Sequence, residues 1–210
     1  MPDHLILIRA GITDYDLQER IRGTLDLPLC AAGVSEAENA AALLATASPA
    51  ALYAADSQCA TETARIFGRA CDLRPRRVAG FANLNMGLWQ GMLVDDIRRK
   101  QPRLHRQWQD NPWAVAPPEG ELLEDACVRV EHALEKILRR HPAGRIALVV
   151  PHPLDRVVRW IVSGRSMGDL WSLESEHDPV SELPVAAQWL SRRGSLEGGR
   201  AARLRDATPT

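Results

Sequence analysis

Two apolar runs, each ending in a residue able to do chemistry, constrain this chain more than any other feature. Leu5-Ile6-Leu7-Ile8 reads as a strand buried on both faces, because no polar residue interrupts it at a two-residue period. It stops at Arg9-Ala10-Gly11. Arg145-Ile146-Ala147-Leu148-Val149-Val150 has the same character and stops at Pro151-His152-Pro153. In open α/β sheets the ligand crevice lies beyond the carboxyl ends of such strands. Arg9 and His152 are therefore expected to face one anion-binding crevice. His152 also precedes a helix with Leu154, Val157, Val158, Ile161 and Val162 on one face. Pro153 suits that helix's first position, where its missing N–H costs nothing.

Between these runs the pattern alternates as an α/β fold requires. Thr13 to Leu29 is polar and loop-like. Ser35 to Leu44 reads as an alanine-rich helix with Ala37, Ala40, Ala41 and Leu44 on one face. Ala51 to Ala55 is a short second strand. Asp56 or Ser57 then caps a helix carrying Ala60, Ala64, Phe67 and Cys71 on one stripe. Arg76 to Ala82 is predicted as a third strand. Val94 to Pro118, broken by Pro102, Pro112, Pro117 and Pro118, reads as two short helices. Gly120-Glu121 opens a long helix to Arg140, with Leu123, Ala126, Cys127, Val130, Leu134, Ile137 and Leu138 in register. His132 and His141 lie on or past it, as exposed or core-edge residues. The remainder, Asp169-Leu170-Trp171 and then strands near Ala186 to Leu190 and Ala201 to Leu204, reads as the sheet edge. Residues after Asp206 are expected to fray.

Such a fold needs a core, and 45% hydrophobic residues in a chain of 210 supply one for a single domain. The 26 basic and 27 acidic residues leave no footprint for nucleic acid or an anionic membrane surface. Cys30, Cys59, Cys71 and Cys127 form no C-x-x-C pair. That argues against a zinc site or a disulfide framework and fits a reducing compartment. No basic leader is visible, and no apolar stretch approaches the roughly 18 to 20 residues that span a bilayer. The expectation is a cytoplasmic protein with no membrane or nucleic-acid partner.

A series of motifs resembles, in order, those of the histidine phosphatase (phosphoglycerate-mutase-like) superfamily. Arg9-Ala10-Gly11 resembles its Arg-His-Gly, with Ala10 in the nucleophile slot. Gly23, Asp26, Pro28 and Leu29 resemble the Gly-x-x-Asp-x-Pro-Leu tail of the second signature. Asp16 stands there in the Asn slot and Arg20 in the first Arg slot. Ala60, Glu62, Thr63 and Ala64 are similar to the end of Ser-Ser-x-x-x-Arg-Ala-x-Glu-Thr-Ala, with Cys59 replacing the arginine. Gly87, Trp89 and Gly91 resemble Glu-x-x-x-Gly-x-Trp-Glu-Gly, with Asn83 in the acid slot. Gly120-Glu121 resembles Gly-Glu-Ser, with Leu122 at the serine. His152 fits the second histidine, followed in the family by glycine rather than Pro153.

The resemblance implies a three-layer α/β/α sandwich with a mostly parallel central sheet. It implies one domain over residues 1–210, with 92–119 as a helical cap, and no cofactor or metal. The implied ligand is a phosphorylated or otherwise anionic small molecule, or a phosphoprotein. Oligomeric state stays open, a homodimer among the alternatives. In the superfamily mechanism the first histidine attacks phosphorus, two arginines and the second histidine hold its oxygens, and a carboxylic acid protonates the leaving group. Carried over, Arg9, Arg20 and His152 remain as ligand-binding residues, with His152 also catalytic. Cys59, in the second arginine slot, cannot make a guanidinium's bidentate, permanently charged contact. It reads as a small buried hydrophobe, or as a nucleophile if its pKa were lowered beside the helix N-terminus. Asn83 can donate a hydrogen bond but not a proton, and a positioned general acid is worth about 10²–10⁴ in rate. The carboxylate of Asp16 disfavours phosphate unless Arg20 or Arg22 pairs with it. Arg98, Arg99, Lys100, Arg103 and Arg106 either line an entrance or form a solvated helix face.

Three functional readings follow. The first is a pseudoenzyme that keeps a weakened anion pocket. The second is a phosphomonoesterase whose phospho-accepting histidine was engineered to Ala10. In the third, His152 performs unrelated acid/base chemistry, with Asp155 as its partner.

Overall fold

β1 (His4–Arg9) and β4 (Arg145–Val150) lie side by side and parallel, with Leu5 opposite Ile146 and Arg9 opposite Val150. The computed structural model describes residues 2–141, 143–164, 170 and 179–185. Within them a five-stranded sheet has the order β3-β2-β4-β1-β5, where β2 is Ala51–Ala55, β3 Arg76–Val78 and β5 Val180–Pro184. β2 pairs in parallel with both β3 and β4, and only β5 runs antiparallel, against β1. Successive residues of β1 point to opposite faces, yet Leu5, Ile6, Leu7 and Ile8 are all essentially inaccessible. Both faces of the sheet are therefore covered. Each such side chain contributes about 1.5–3 kcal/mol by leaving water.

The covering helices are α2 (Ala31–Ala47) packed on α3 (Gln58–Cys71), and α6 (Leu123–Leu138) packed on α7 (Leu154–Ser163). α3 rests on β2 and β4, while α7 rests on β1 and β5. The buried stripe of α6 (Leu123, Ala126, Cys127, Val130, Leu134, Ile137 and Leu138) is the one read from its 3.6-residue period. α1 (Asp14–Leu17), α4 (Val94–Lys100) and α5 (Pro102–Asp110) are the other α-helices among the described residues. This is the α/β fold with a mostly parallel sheet that the sequence implied.

Several boundaries differ from expectation. The alanine-rich helix begins at Ala31 rather than Ser35, because Cys30 caps it through a bond from the Gly33 amide to its sulfur, 3.4 Å. The expected third strand stops at Val78, and Ala79–Phe81 turn into a 3-10 helix. The polar loop after β1 contains the single turn α1. Pro153 caps α7 instead of opening it, and the His152–Pro153 peptide is cis. β5 was not foreseen. The expected strands near 186–190 and 201–204, most of the 169–171 segment and the tail after 206 lie outside the described residues. No helix among the described residues is long and apolar enough to cross a membrane.

The connections run from β1 to β2 and β3 toward one edge, and from β4 to β5 toward the other. The chain therefore switches direction between β1 and β4, where α/β sheets hold their ligands. The loop leaving β1 passes so close to α2 that a side chain at Gly33 would sit 2.1 Å from the Ile12 carbonyl oxygen. Only glycine permits that approach.

Candidate functional site

The strand register places the site. Ala10 extends the ladder by one bond, its amide donating to the Val150 carbonyl at 2.8 Å. Arg9 and His152 thus leave neighbouring strands at the same level. Both line one cavity of about 330 Å³, together with Ala10, Ile12, Asp16, Arg22, Ala32 and Glu36. The pairing of Arg9 with His152 across the switch point was legible in sequence.

His152 is 9% exposed, and its Nδ1 lies 3.2 Å from Oδ1 of Asp155, three residues on in the first turn of α7. Its Nε2 is buried with no hydrogen-bond partner among the described residues. Burial pushes the Asp155 carboxyl up, but the hydrogen bond and charge of His152, with Arg9 and Arg156, outweigh this and hold it below 3.8. Because the folded-state value is depressed, the ionised carboxylate stabilises the fold at pH values above 3.8. That stabilisation is lost as pH falls through the lower, folded value. Asp155→Asn is expected to flatten the acid limb of stability below about pH 4, read as urea midpoints between pH 5 and 2.5. An unchanged acid limb would refute this.

On the second motif Arg22, not Arg20, lines the cavity. Arg20 donates through Nη1 to the Gly91 carbonyl at 2.7 Å and through Nε to Gln18 at 2.9 Å, with Tyr15 beneath its guanidinium, and it does not line the cavity. Arg22 is buried. Its Nη1 donates to Asp16 Oδ2 at 3.1 Å, its Nη2 to the His152 carbonyl at 2.9 Å, and its Nε has no partner among the described residues. Asp16 Oδ2 also accepts from the Thr13 amide at 2.7 Å and the Thr13 hydroxyl at 2.8 Å. The carboxylate in the Asn slot is thereby neutralised. Gly23, with φ of +57°, turns the chain immediately after Arg22 in a way a larger residue resists.

The residues in the other family slots sit behind the cavity, not in its lining. Cys59 is 1% exposed, its sulfur 3.6 Å from Arg22 Nη1 and 3.5 Å from the Ser57 hydroxyl. Asn83 donates through Nδ2 to the Gly23 carbonyl at 2.9 Å and to the His152 carbonyl at 3.0 Å. The His152 carbonyl thus joins Arg22 and Asn83. Arg129 on α6, absent from the sequence reading, fixes the Asn83 segment from behind. It donates to the carbonyls of Gly80, Ala82 and Asn83 and pairs with Glu121 at 2.8 Å. Glu121 in turn accepts from the Asn85 amide at 2.8 Å, so the Gly-Glu motif acts as a clamp.

No residue of 92–119 lines the cavity. Arg98 pairs with Asp95 at 3.1 Å, and Arg99 and Lys100 pair with Asp96, all on the exposed side of α4. These bases form a solvated helix face, as their i, i+3 and i, i+4 spacing to acids allows.

Comparison with known proteins gives three kinds of likeness. The profile described as "Histidine phosphatase superfamily (branch 1)" matches residues 5–187. Phosphoserine phosphatase 1 of Hydrogenobacter thermophilus is 27% identical over 180 residues, 85% of each chain. A probable phosphoglycerate mutase GpmB of Enterobacter is 31% identical over 150 residues, 70% of this chain and 67% of that one. A bifunctional protein of Mycobacterium tuberculosis is 29% identical over 188 residues, and the chain spans half the length of that relative. Among solved structures, Bacillus stearothermophilus YhfR superposes with a TM-score of 0.77 at 26% identity, covering 89% of this chain and 93% of that one. A mycobacterial glucosyl-3-phosphoglycerate phosphatase shares the fold, with a TM-score of 0.76 at 23% identity over 86% and 92% of the two chains.

Proposed function

Since the chain belongs to the histidine phosphatase superfamily, branch 1, we propose that it binds a phosphate monoester in the Arg9–His152 crevice without forming a phosphohistidine. The observation that carries this is the cavity lining. It retains a guanidinium and an imidazole for an anion, while a methyl group, Ala10, occupies the nucleophile slot. Covalent phosphoryl transfer needs a lone pair aimed at phosphorus. Ala10 has none, the Cys59 thiol is buried behind Arg22, and the His152 imidazole is assigned to holding the anion's oxygens. A cavity of about 330 Å³ suits a small phosphorylated molecule, the substrate class that the names of the phosphatase relatives carry.

Asn83 supports the same reading over an isolated change at Ala10. Its amide donates to two carbonyls at once, a role no ionised carboxylate can take. The surroundings of position 83 thus suit the amide and not the family's acid.

The test pairs hydrolysis with binding. The chain is expected to show no p-nitrophenyl phosphate turnover above background while binding inorganic phosphate by calorimetry. Arg9→Ala is expected to weaken that binding about tenfold to a hundredfold, the loss of a charge-assisted hydrogen bond. Turnover by the unaltered chain, or binding indifferent to Arg9, would overturn the reading.

A further inference from the structure

The anion crevice has lost one arginine to Cys59, and its most buried cation, Arg22, is already engaged by Asp16. The donors left are Arg9, the Arg22 Nε and whatever His152 presents at Nε2. What His152 presents is decided by Asp155. An ionised carboxylate only accepts hydrogen bonds, so the 3.2 Å contact requires the proton on Nδ1. Nε2 therefore carries either a bare lone pair or a second N–H, and the occupant of the cavity selects between them. A dianion beside Arg9 would repel the lone pair and accept from the N–H.

We propose that Asp155 is a positioning residue that holds His152 as a charged donor when an anion binds. The crevice then meets a phosphate or sulfate dianion with the Arg9 guanidinium and the His152 Nε2–H. This deepens the reading above and rests on it. Geometry supports it in two independent ways. Asp155 and His152 are both buried and bonded across three residues, so the ring cannot swing out without stranding a carboxylate. Nε2 is an orphaned buried polar atom on a residue that lines the cavity. The depressed pKa of Asp155 shows that its carboxylate stays ionised next to that ring.

The other charges around the ring act as follows. Arg9 on β1 and Arg156 on α7 oppose a proton on Nε2, whereas the Asp155 carboxylate bonded to the ring favours it. Asp16 is neutralised by Arg22, and Glu36 on α2 lines the cavity and favours the proton. A dianion adds the negative charge that favours an Nε2–H, so binding and proton uptake are coupled.

Inorganic sulfate is the probe, because its charge is constant from pH 5.5 to 8, and titrations of the full chain are run in buffers of differing ionisation enthalpy. The unaltered chain is expected to take up protons as it binds sulfate at pH 7.5, with affinity falling as pH rises. Asp155→Asn, nearly isosteric, is expected to bind sulfate roughly tenfold more weakly at pH 7.5, the loss of a hydrogen bond to a charged group. That gap should narrow to within about threefold at pH 5.5, where protons are supplied from solution. Thermal melts at each pH confirm that the variant is folded, and Asp155→Glu, which restores a carboxylate, is expected to recover part of the proton uptake. A loss equal at every pH, or unchanged uptake, would overturn the role of Asp155. If Arg9→Ala leaves sulfate binding intact, the anion-site reading fails instead, so the two failures are distinguishable.

Discussion

Arg22→Met is expected to destabilise the fold by about 3–5 kcal/mol, the usual result of removing one partner of a buried ion pair. In a chain of this size that corresponds to a fall in Tm on the order of 10 °C, read by circular dichroism. The substitution would leave the Asp16 carboxylate buried with only the amide and hydroxyl of Thr13 to satisfy it. It would also leave the His152 carbonyl with Asn83 alone. Arg22→Lys is expected to recover little, because an ammonium cannot reach both acceptors in the planar geometry of the guanidinium. The double variant Arg22→Met/Asp16→Asn should be more stable than Arg22→Met, since it removes the uncompensated charge. A loss below about 1 kcal/mol would show that the pair behaves like an exposed one.

The second large effect concerns turnover. Ala10→His alone is expected to leave phosphomonoester hydrolysis at background, even though the cavity has room for an imidazole at that position. The leaving oxygen would still lack a proton donor, a deficit of about 10²–10⁴ in rate. The second guanidinium would also be missing. Adding Asn83→Glu is expected to leave most of that deficit, because position 83 lies behind the cavity and a carboxyl cannot replace both hydrogen bonds of the amide. A rise by the full factor of about 10²–10⁴ in the double variant would show that a side chain at position 83 reaches the leaving group. Substantial turnover from Ala10→His by itself would favour the reading in which a single histidine was engineered away.

The legible part of this protein was the part written in unbroken apolar runs. Leu5–Ile8 and Ile146–Val150 announced buried strands, and the residues after them marked the crevice, because strand ends are where an α/β sheet opens. Arg20 and Arg22 show what spacing could not resolve. They lie two residues apart in a loop, and which one turns inward depends on α1 and on the left-handed turn at Gly23, neither of which has a periodic signature. Arg129 was invisible for a related reason. On a helix its charge reads as surface, and only the carbonyls of Gly80, Ala82 and Asn83 gathered beneath it reveal its purpose. Asp155 was readable as a partner of His152 from its place one turn along the next helix. Its ionised state followed only from its neighbours His152, Arg9 and Arg156, which outweigh burial.

The sheet order has a consequence for how the molecule comes into being. In the described sheet both neighbours of β1, β4 and β5, come after residue 144 in the chain. During translation the first strand emerges from the ribosome with its apolar Leu5–Ile8 run bare and stays without a mate while the intervening helices and β2 and β3 are made. The crevice at its tip is therefore assembled last. A nascent chain stalled before residue 145 would carry a bare, sticky ribbon, the kind of segment that chaperones exist to shield.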